Sequence, residues 1–236
     1  MVEAVAECPH CSGTGWRESQ EGSGVLPCEC RARLRLERAL EAARIPPRYR
    51  RCEFPGLDIG WSAKGDRRNE TLWAAIQFAK AYCDEYPLKR EEGKGLLLMG
   101  GPGVGKTHLV VALLKELIAR GADGLFVDYQ ELLKQIQASY DTTARTAERH
   151  VMGPVLETEI VVIDDLGANR ISDWVEDTIN YLLNHRYSNR KPTLLTSNLS
   201  EGEFEDRLGI RVASRLREMC RLIWIDAEDY RKQMRV

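Results

Sequence analysis

No run in this chain is long and apolar enough for a membrane helix; its longest hydrophobic stretches, such as GLLLM and IVVI, are strand-sized. The opening residues, MVEAVAE, have neither a basic n-region nor a long apolar segment, so no secretion leader is expected. Together these absences predict a cytoplasmic protein with no membrane partner, in a reducing compartment where structural disulfides are rare. Bulk charge is lacking too. Its 34 basic and 36 acidic residues leave a net charge of -2, which gives no whole-chain signature for nucleic acid. There is no internal repeat and no low-complexity tract. What remains is a globular composition, 43% hydrophobic and 30% charged over 236 residues, ample for one full core and a small appendage.

The charge that is present is unevenly placed. Residues 31–51 hold eight arginines against Glu37 and Glu41, an excess of six positive charges, and the rest of the chain carries -8. Such a patch can meet phosphate or an acidic partner; a solvated helix face is the competing reading. Ala32, Leu36, Ala39, Leu40 and Ala43 recur at helical spacing, which predicts a helix over 31–44. The IPP at 45–47 stops it. Residues 48–68 read as irregular, with Pro55, Gly56, Gly60 and Gly65. The expected division is a cysteine-bearing segment at 1–44, a linker at 45–68 and a catalytic domain at 69–236.

From residue 69 onward the pattern alternates. Helices are predicted over 69–86, 107–120 and 174–190, with a further helix begun by ELLKQI. Strands are predicted at 95–99, 124–128, 159–164, 193–198 and 221–225. Continuous apolar strands separated by helices predict an α/β fold with a parallel sheet covered on both faces.

GGPGVGKTH, residues 100–108, matches G-x-x-x-x-G-K-[ST] between a predicted strand and a predicted helix. Glycines let the backbone wrap a phosphate chain with its N–H groups inward, and the helix start adds its positive dipole end. Lys106 would supply charge to the β- and γ-phosphates, and Thr107 a hydroxyl to Mg²⁺. IVVIDDLG delivers Asp164 and Asp165 to a strand's carboxyl end, where parallel sheets bind ligands. Asp164 is the expected Mg²⁺ partner and Asp165 the group that orients or deprotonates the attacking water. The bland alternative for this pair is a turn cap. Asn198, ending TLLTSN, can reach a γ-phosphate, though Asn also suits a turn. Arg211 and Arg215 lie four apart, so a helix would put them on one face, suited either to phosphate or to a surface ion pair.

CPHC…CEC, IPPRY, GGPGVGKTHL, VVIDDLG, TSN and RVASRLREM occur here in one order over nearly the whole chain. The combination resembles the DnaC/DnaI-like replicative helicase loaders, AAA+ P-loop ATPases with the IstB transposition ATPases as relatives. The resemblance implies a five-stranded parallel sheet of order 5-1-4-3-2. Only 38 residues follow Asn198, so no C-terminal lid domain is expected. It implies an ATP-dependent, Mg²⁺-dependent ATPase that binds single-stranded DNA, self-associates and loads a replicative hexameric helicase. The alternative it leaves is a transposition helper acting on target DNA.

Carried over by motif, the resemblance makes Gly100 to Thr107 the Walker A loop, with ATP against Gly101, Pro102, Gly103, Val104, Gly105, Lys106, Thr107 and His108. Asp164 and Asp165 become Walker B and Asn198 sensor 1. Arg215 becomes a finger acting on a neighbouring subunit's ATP, assisted by Arg211. Arg231 is a weaker candidate near nucleotide, and Lys134, Arg145, Arg149 and Arg170 are candidate DNA contacts beside ordinary surface charge. Hydrolysis is expected to depend on assembly.

Cys8, Cys11, Cys28 and Cys30 put four thiols within 23 positions, with glycines between the pairs. That spacing suits tetrahedral structural Zn²⁺, whose binding supplies folding free energy to a segment too small for a core. A redox role and unliganded thiols are the other readings, and His10 could replace one ligand. Cys52, Cys83 and Cys220 are isolated and read as packing residues.

Overall fold

The computed structural model describes residues 8–19, 24–57, 70–140, 145–168, 173–227 and 229–230. Two short antiparallel strands open the described chain, β1 (Trp16–Glu18) and β2 (Val25–Pro27), followed by helix α1 (Glu29–Ala42). The remainder is a layered α/β unit. In chain order it comprises α2 (Glu70–Asp84), α3 (Tyr86–Glu92), β3 (Gly95–Gly100), α4 (Lys106–Ala119), β4 (Gly124–Asp128), α5 (Tyr129–Tyr140), α6 (Arg145–Glu157) and β5 (Ile160–Asp164). Then come α7 (Asp173–Ser188), β6 (Thr193–Ser197), α8 (Glu201–Leu208), α9 (Ile210–Met219) and β7 (Cys220–Ile225).

The five core strands pair in parallel in the order β4-β5-β6-β3-β7. Numbered 1 to 5 in chain order, this is the expected 5-1-4-3-2. Alternate residues of each strand feed opposite apolar layers, as a two-residue period requires. Leu96, Leu98, Val162, Leu194, Ile223 and Ile225 join the layer of α2 and α4. Leu97, Met99, Val161, Ile163, Leu195 and Cys220 join the layer of α5, α6, α7 and α9. In α4, Leu109, Leu113, Leu114 and Leu117 are fully buried, each worth about 1.5–3 kcal/mol over an exposed position. Gly121, in a left-handed conformation with φ 97, closes this helix. Its N–H donates to the Ile118 carbonyl at 2.9 Å, and that of Ala122 donates to Leu117 at 3.0 Å.

Three local features differ from the sequence reading. The helix expected over 69–86 is two helices: α2 ends at Asp84, and Pro87 in the first turn of α3 has no N–H to continue the ladder. The β1–β2 pair, α6 and α8 were unforeseen elements. Residues 45–57, read as linker, pack on the core. Ile45, Cys52 and Leu57 are buried with α2 and α4, and Lys115 of α4 donates to the Arg50 and Cys52 carbonyls at 2.9 and 3.2 Å. The Phe126 N–H donates to the Ala43 carbonyl at 2.7 Å, so the end of α1 covers the outer edge of β4. Among the described residues, no helix is long and apolar enough to cross a membrane.

Candidate nucleotide site and cysteine cluster

Adjacent strands β3, β5 and β6 end at one edge of the sheet, where residues 100–105 turn from β3 into α4. Two glycines of this loop are required by contact. At Gly100 a Cβ would lie 2.1 Å from the Ile225 carbonyl oxygen. At Gly103, with φ 77, a Cβ would lie 1.7 Å from a carboxylate oxygen of Asp229, and the Tyr230 N–H donates to the Gly103 carbonyl at 3.2 Å. Val104 turns into the core, whereas Gly101 and Pro102 are exposed.

Lys106 is 7% exposed, and its ammonium is held within the loop. Nζ donates to the carbonyls of Gly100 and Gly101 at 2.8 and 2.6 Å, and to Asn198 Oδ1 at 2.7 Å. Thr107 Oγ1 lies 3.0 and 3.1 Å from the two carboxylate oxygens of Asp164. Asp164 is buried, and burial raises its pKa above the usual carboxylate range, opposed by hydrogen bonds from Thr196 and Thr107. A half-buried carboxylate follows at Asp165, whose φ of 61 is uncommon for a residue with a side chain. The Asn198 amide donates to Asp165 Oδ1, so Asn198 bridges Lys106 and Asp165. A carboxylate and a hydroxyl in contact are hard oxygen donors of the kind Mg²⁺ takes.

The structure thus brings Lys106, Thr107, Asp164, Asp165 and Asn198 together. It does not turn the His108 side chain toward them. That imidazole faces the backbone of Glu53, with Nε2 2.9 Å from the carbonyl and 3.2 Å from the N–H. Arg211 is exposed on α9. Arg215 stacks 4.3 Å over the Tyr187 ring and lies 3.9 Å from Glu218. Among the described residues neither arginine bonds the loop or the paired aspartates. Lys134 is exposed on α5, while the side chains of Arg145 and Arg149, together with Arg170 and Arg231, lie outside the described residues. Thr196, Asp229 and Tyr230 were missed as site neighbours; a polar Thr196 inside an apolar strand run was the available signal.

In the second site, the sulfur atoms of Cys8, Cys11, Cys28 and Cys30 all lie within 4.8 Å of one another, and all four residues are buried. Cys8 and Cys28 approach to 3.7 Å and Cys11 and Cys30 to 3.5 Å. The Gly15 N–H donates to Cys11 Sγ at 3.3 Å. Burial works against the Cys11 thiolate, but hydrogen bonds from Gly15 and the neighbouring thiols outweigh it and lower the pKa to about 6. Burial and the adjacent thiols push Cys30 up to about 12. Four clustered sulfurs can hold a metal ion; His10 is exposed and outside the set. Cys52, Cys83 and Cys220 pack in the apolar layers.

The chain is similar to known proteins. The chain is 29% identical over 200 residues to the uncharacterized protein YqaM of Bacillus subtilis, covering 82% of this chain but 60% of that protein's length. It is 25% identical over 214 residues to the replicative helicase loader DnaC of Escherichia coli, covering 89% and 81%. A crystal structure of the DnaC helicase loader superposes with a TM-score of 0.65 at 32% identity, over 76% of this chain and 99% of that one. With the model of the IstB-like ATP binding proteins matching residues 30–236, including every strand end that forms the site, this chain belongs to that family.

Proposed function

We propose that this chain is an ATP-dependent loader of a replicative hexameric DNA helicase onto single-stranded DNA. The observation that carries the reading is the convergence of Lys106, Thr107, Asp164, Asp165 and Asn198 at three adjacent strand ends. Similarity to DnaC over most of the chain supports the loading role. In this reading ATP lies along residues 100–108, and Lys106 exchanges its carbonyl acceptors for β- and γ-phosphate oxygens. Thr107 and Asp164 would hold Mg²⁺, which when bound neutralises charge on the phosphate oxygens. Asp165, aimed by Asn198, orients the attacking water and receives its proton, leaving ADP and phosphate.

Arg215, with Arg211 one turn away, acts on the ATP of a second copy, so hydrolysis requires self-association. Cys8, Cys11, Cys28 and Cys30 would hold a structural Zn²⁺ that fixes segment 1–44 as the helicase-docking arm. Residues 45–68 link that arm to the ATPase domain, 69–236, and the protein works in the cytoplasm.

A dilution series tests the catalytic half. Turnover per molecule should rise with protein concentration and fall by about three orders of magnitude in Arg215→Ala. Equal turnover in dilute and concentrated protein, untouched by Arg215→Ala, would sink the reading. Affinity capture from the native host with ATP present tests the partner, and a hexameric helicase should be retained. The resemblance to the IstB ATPases leaves a second reading, a transposition helper on target DNA. Capture of a transposase instead of a helicase would select it.

A further inference from the structure

We infer that Thr196 is a positioning residue that sets both members of the Asp164–Asp165 pair, and through them the response of the site to magnesium. The inference rests on the ATPase reading and adds a residue to it. Thr196 sits near the end of β6 and is 1% exposed. Its hydroxyl donates to Asp164 Oδ1 at 2.6 Å and accepts the Asp165 N–H at 2.9 Å. Its carbonyl accepts the Leu166 N–H at 2.8 Å. One residue therefore holds three consecutive positions where the chain leaves β5.

Sheet register makes this possible. Ile163 of β5 pairs with Leu195 of β6, so one step further along these parallel strands sets Asp164 beside Thr196, both facing the α4 side. A hydroxyl is donor and acceptor at once, so it satisfies a carboxylate oxygen and a backbone N–H together. The β-branch of threonine restricts its rotamer and fixes where that hydroxyl points. Thr107 reaches the Asp164 carboxylate as well, leaving it gripped by two hydroxyls. The bond to the Asp165 N–H supports a left-handed backbone conformation with φ 61, from which the Asp165 side chain reaches Asn198. Valine has the same shape and neither bond. It would take from the part-buried Asp165 N–H this acceptor and leave Asp164 Oδ1 with the Thr107 hydroxyl alone.

The test uses Thr196→Val and Thr196→Ser in the full chain. Equilibrium binding of a fluorescent ADP analogue is measured without Mg²⁺ and across a Mg²⁺ titration, beside ATP turnover and thermal unfolding. Thr196→Val should keep the parent's Mg²⁺-free affinity and raise the half-saturating Mg²⁺ concentration about tenfold or more. Thr196→Ser retains the hydroxyl and should restore most of that shift. A Thr196→Val protein with the parent's magnesium response overturns the inference. So does a Ser variant as impaired as the Val variant, since the hydroxyl would then not be what sets the magnesium response. If Thr196→Val does not fold, Thr196→Ala decides on the same criteria. A parent chain that shows magnesium-linked nucleotide binding but no hydrolysis would remove the ATPase reading and leave Thr196 still decided by the binding shift.

Discussion

The nucleotide core buries an apolar layer on each face of its sheet, whereas the hydrophobic cluster of the cysteine module consists, among the described residues, of four thiols. Around those thiols the module exposes Trp16, Val25 and Leu26. The difference separates two ways of making a site. In the core, packing fixes β3, β5 and β6, and at their ends Asn198 meets Lys106 and Asp165 while Thr107 meets Asp164. In the module, among the described residues, no such apolar layer stands behind the four sulfur atoms. Sulfurs within 4.8 Å of one another repel as thiolates, so a cation that binds them also holds the backbone together. The core makes a site because it is folded; in the proposed reading the module would fold because it holds a metal.

The sharpest way to break that contrast is to remove metal. A zinc-selective chelator with reductant present, or Cys28→Ser, should abolish hydrogen-exchange protection across residues 8–30 and leave the β3, β5 and β6 amides unchanged. The expected effect is the loss of the whole module, because structural zinc contributes about 10–16 kcal/mol in small zinc-dependent folds. Persistence of protection in 8–30 after metal removal would show that the module is held by something other than its thiols.

Arg186 probes the opposite region, where one charge sits in the apolar core. It is fully buried, and burial draws its guanidinium below the usual arginine range while leaving it charged at neutral pH. Its nitrogens donate to Thr193 Oγ1 at 2.9 Å and to the carbonyls of Val155, Thr158, Glu159 and Pro192 at 2.8, 3.0, 3.2 and 2.7 Å. These bonds tie α6 and the start of β5 to the turn before β6. Arg186→Met fills the space but strands several buried carbonyls at about 1–3 kcal/mol each, so it should cost about 3 kcal/mol or more. The thermal midpoint should drop by roughly 10 °C, while exchange in 8–30 stays as it was. A midpoint within a degree or so of the parent would mean that apolar packing alone carries the region.

How much could be read in advance follows the same division. The buried strands stand out as apolar runs, and the glycine loop and paired aspartates fall at their ends, so the core of the site was legible from residues 95–108 and 159–165. The strand order came from resemblance, because apolar runs do not say which strand lies beside which. Three things were illegible for physical reasons. The β1–β2 strands are three residues each and exposed, so no alternating pattern marks them. Helix α6 contains Gly153 and Pro154, which read as breakers, although Met152, Val155 and Leu156 bury one side of it. The packing of 45–57 combines Ile45, Cys52 and Leu57, whose spacing follows no helix or strand period, with backbone carbonyls that every residue has. The role of Thr196 was half visible: a hydroxyl in an apolar strand needs a partner, but only the fold reveals that its partner is the acid one strand away.

The junction of the two regions gives the smallest expected effect. Lys115 of α4 reaches the Arg50 and Cys52 carbonyls and lies 3.0 Å from the Glu53 carboxylate, while His108, next to Thr107, faces the Glu53 backbone. Segment 45–57 is therefore held to the phosphate-loop helix by two polar side chains and a few apolar contacts. Lys115→Met keeps the aliphatic stem and removes the ammonium, which is only partly buried, so it should cost about 1–2 kcal/mol. That cost should be local. Exchange should quicken in 45–57, with the sheet amides and the cysteine module unaffected, because neither apolar layer nor thiol cluster depends on the ammonium. Nucleotide added at saturating concentration should restore part of the protection if α4 transmits the state of the loop through His108, and His108→Ala should remove that restoration. A uniform loss of protection through sheet and segment together would show that 45–57 belongs to the cooperative core, and the boundary between the two regions would then move to the end of α1.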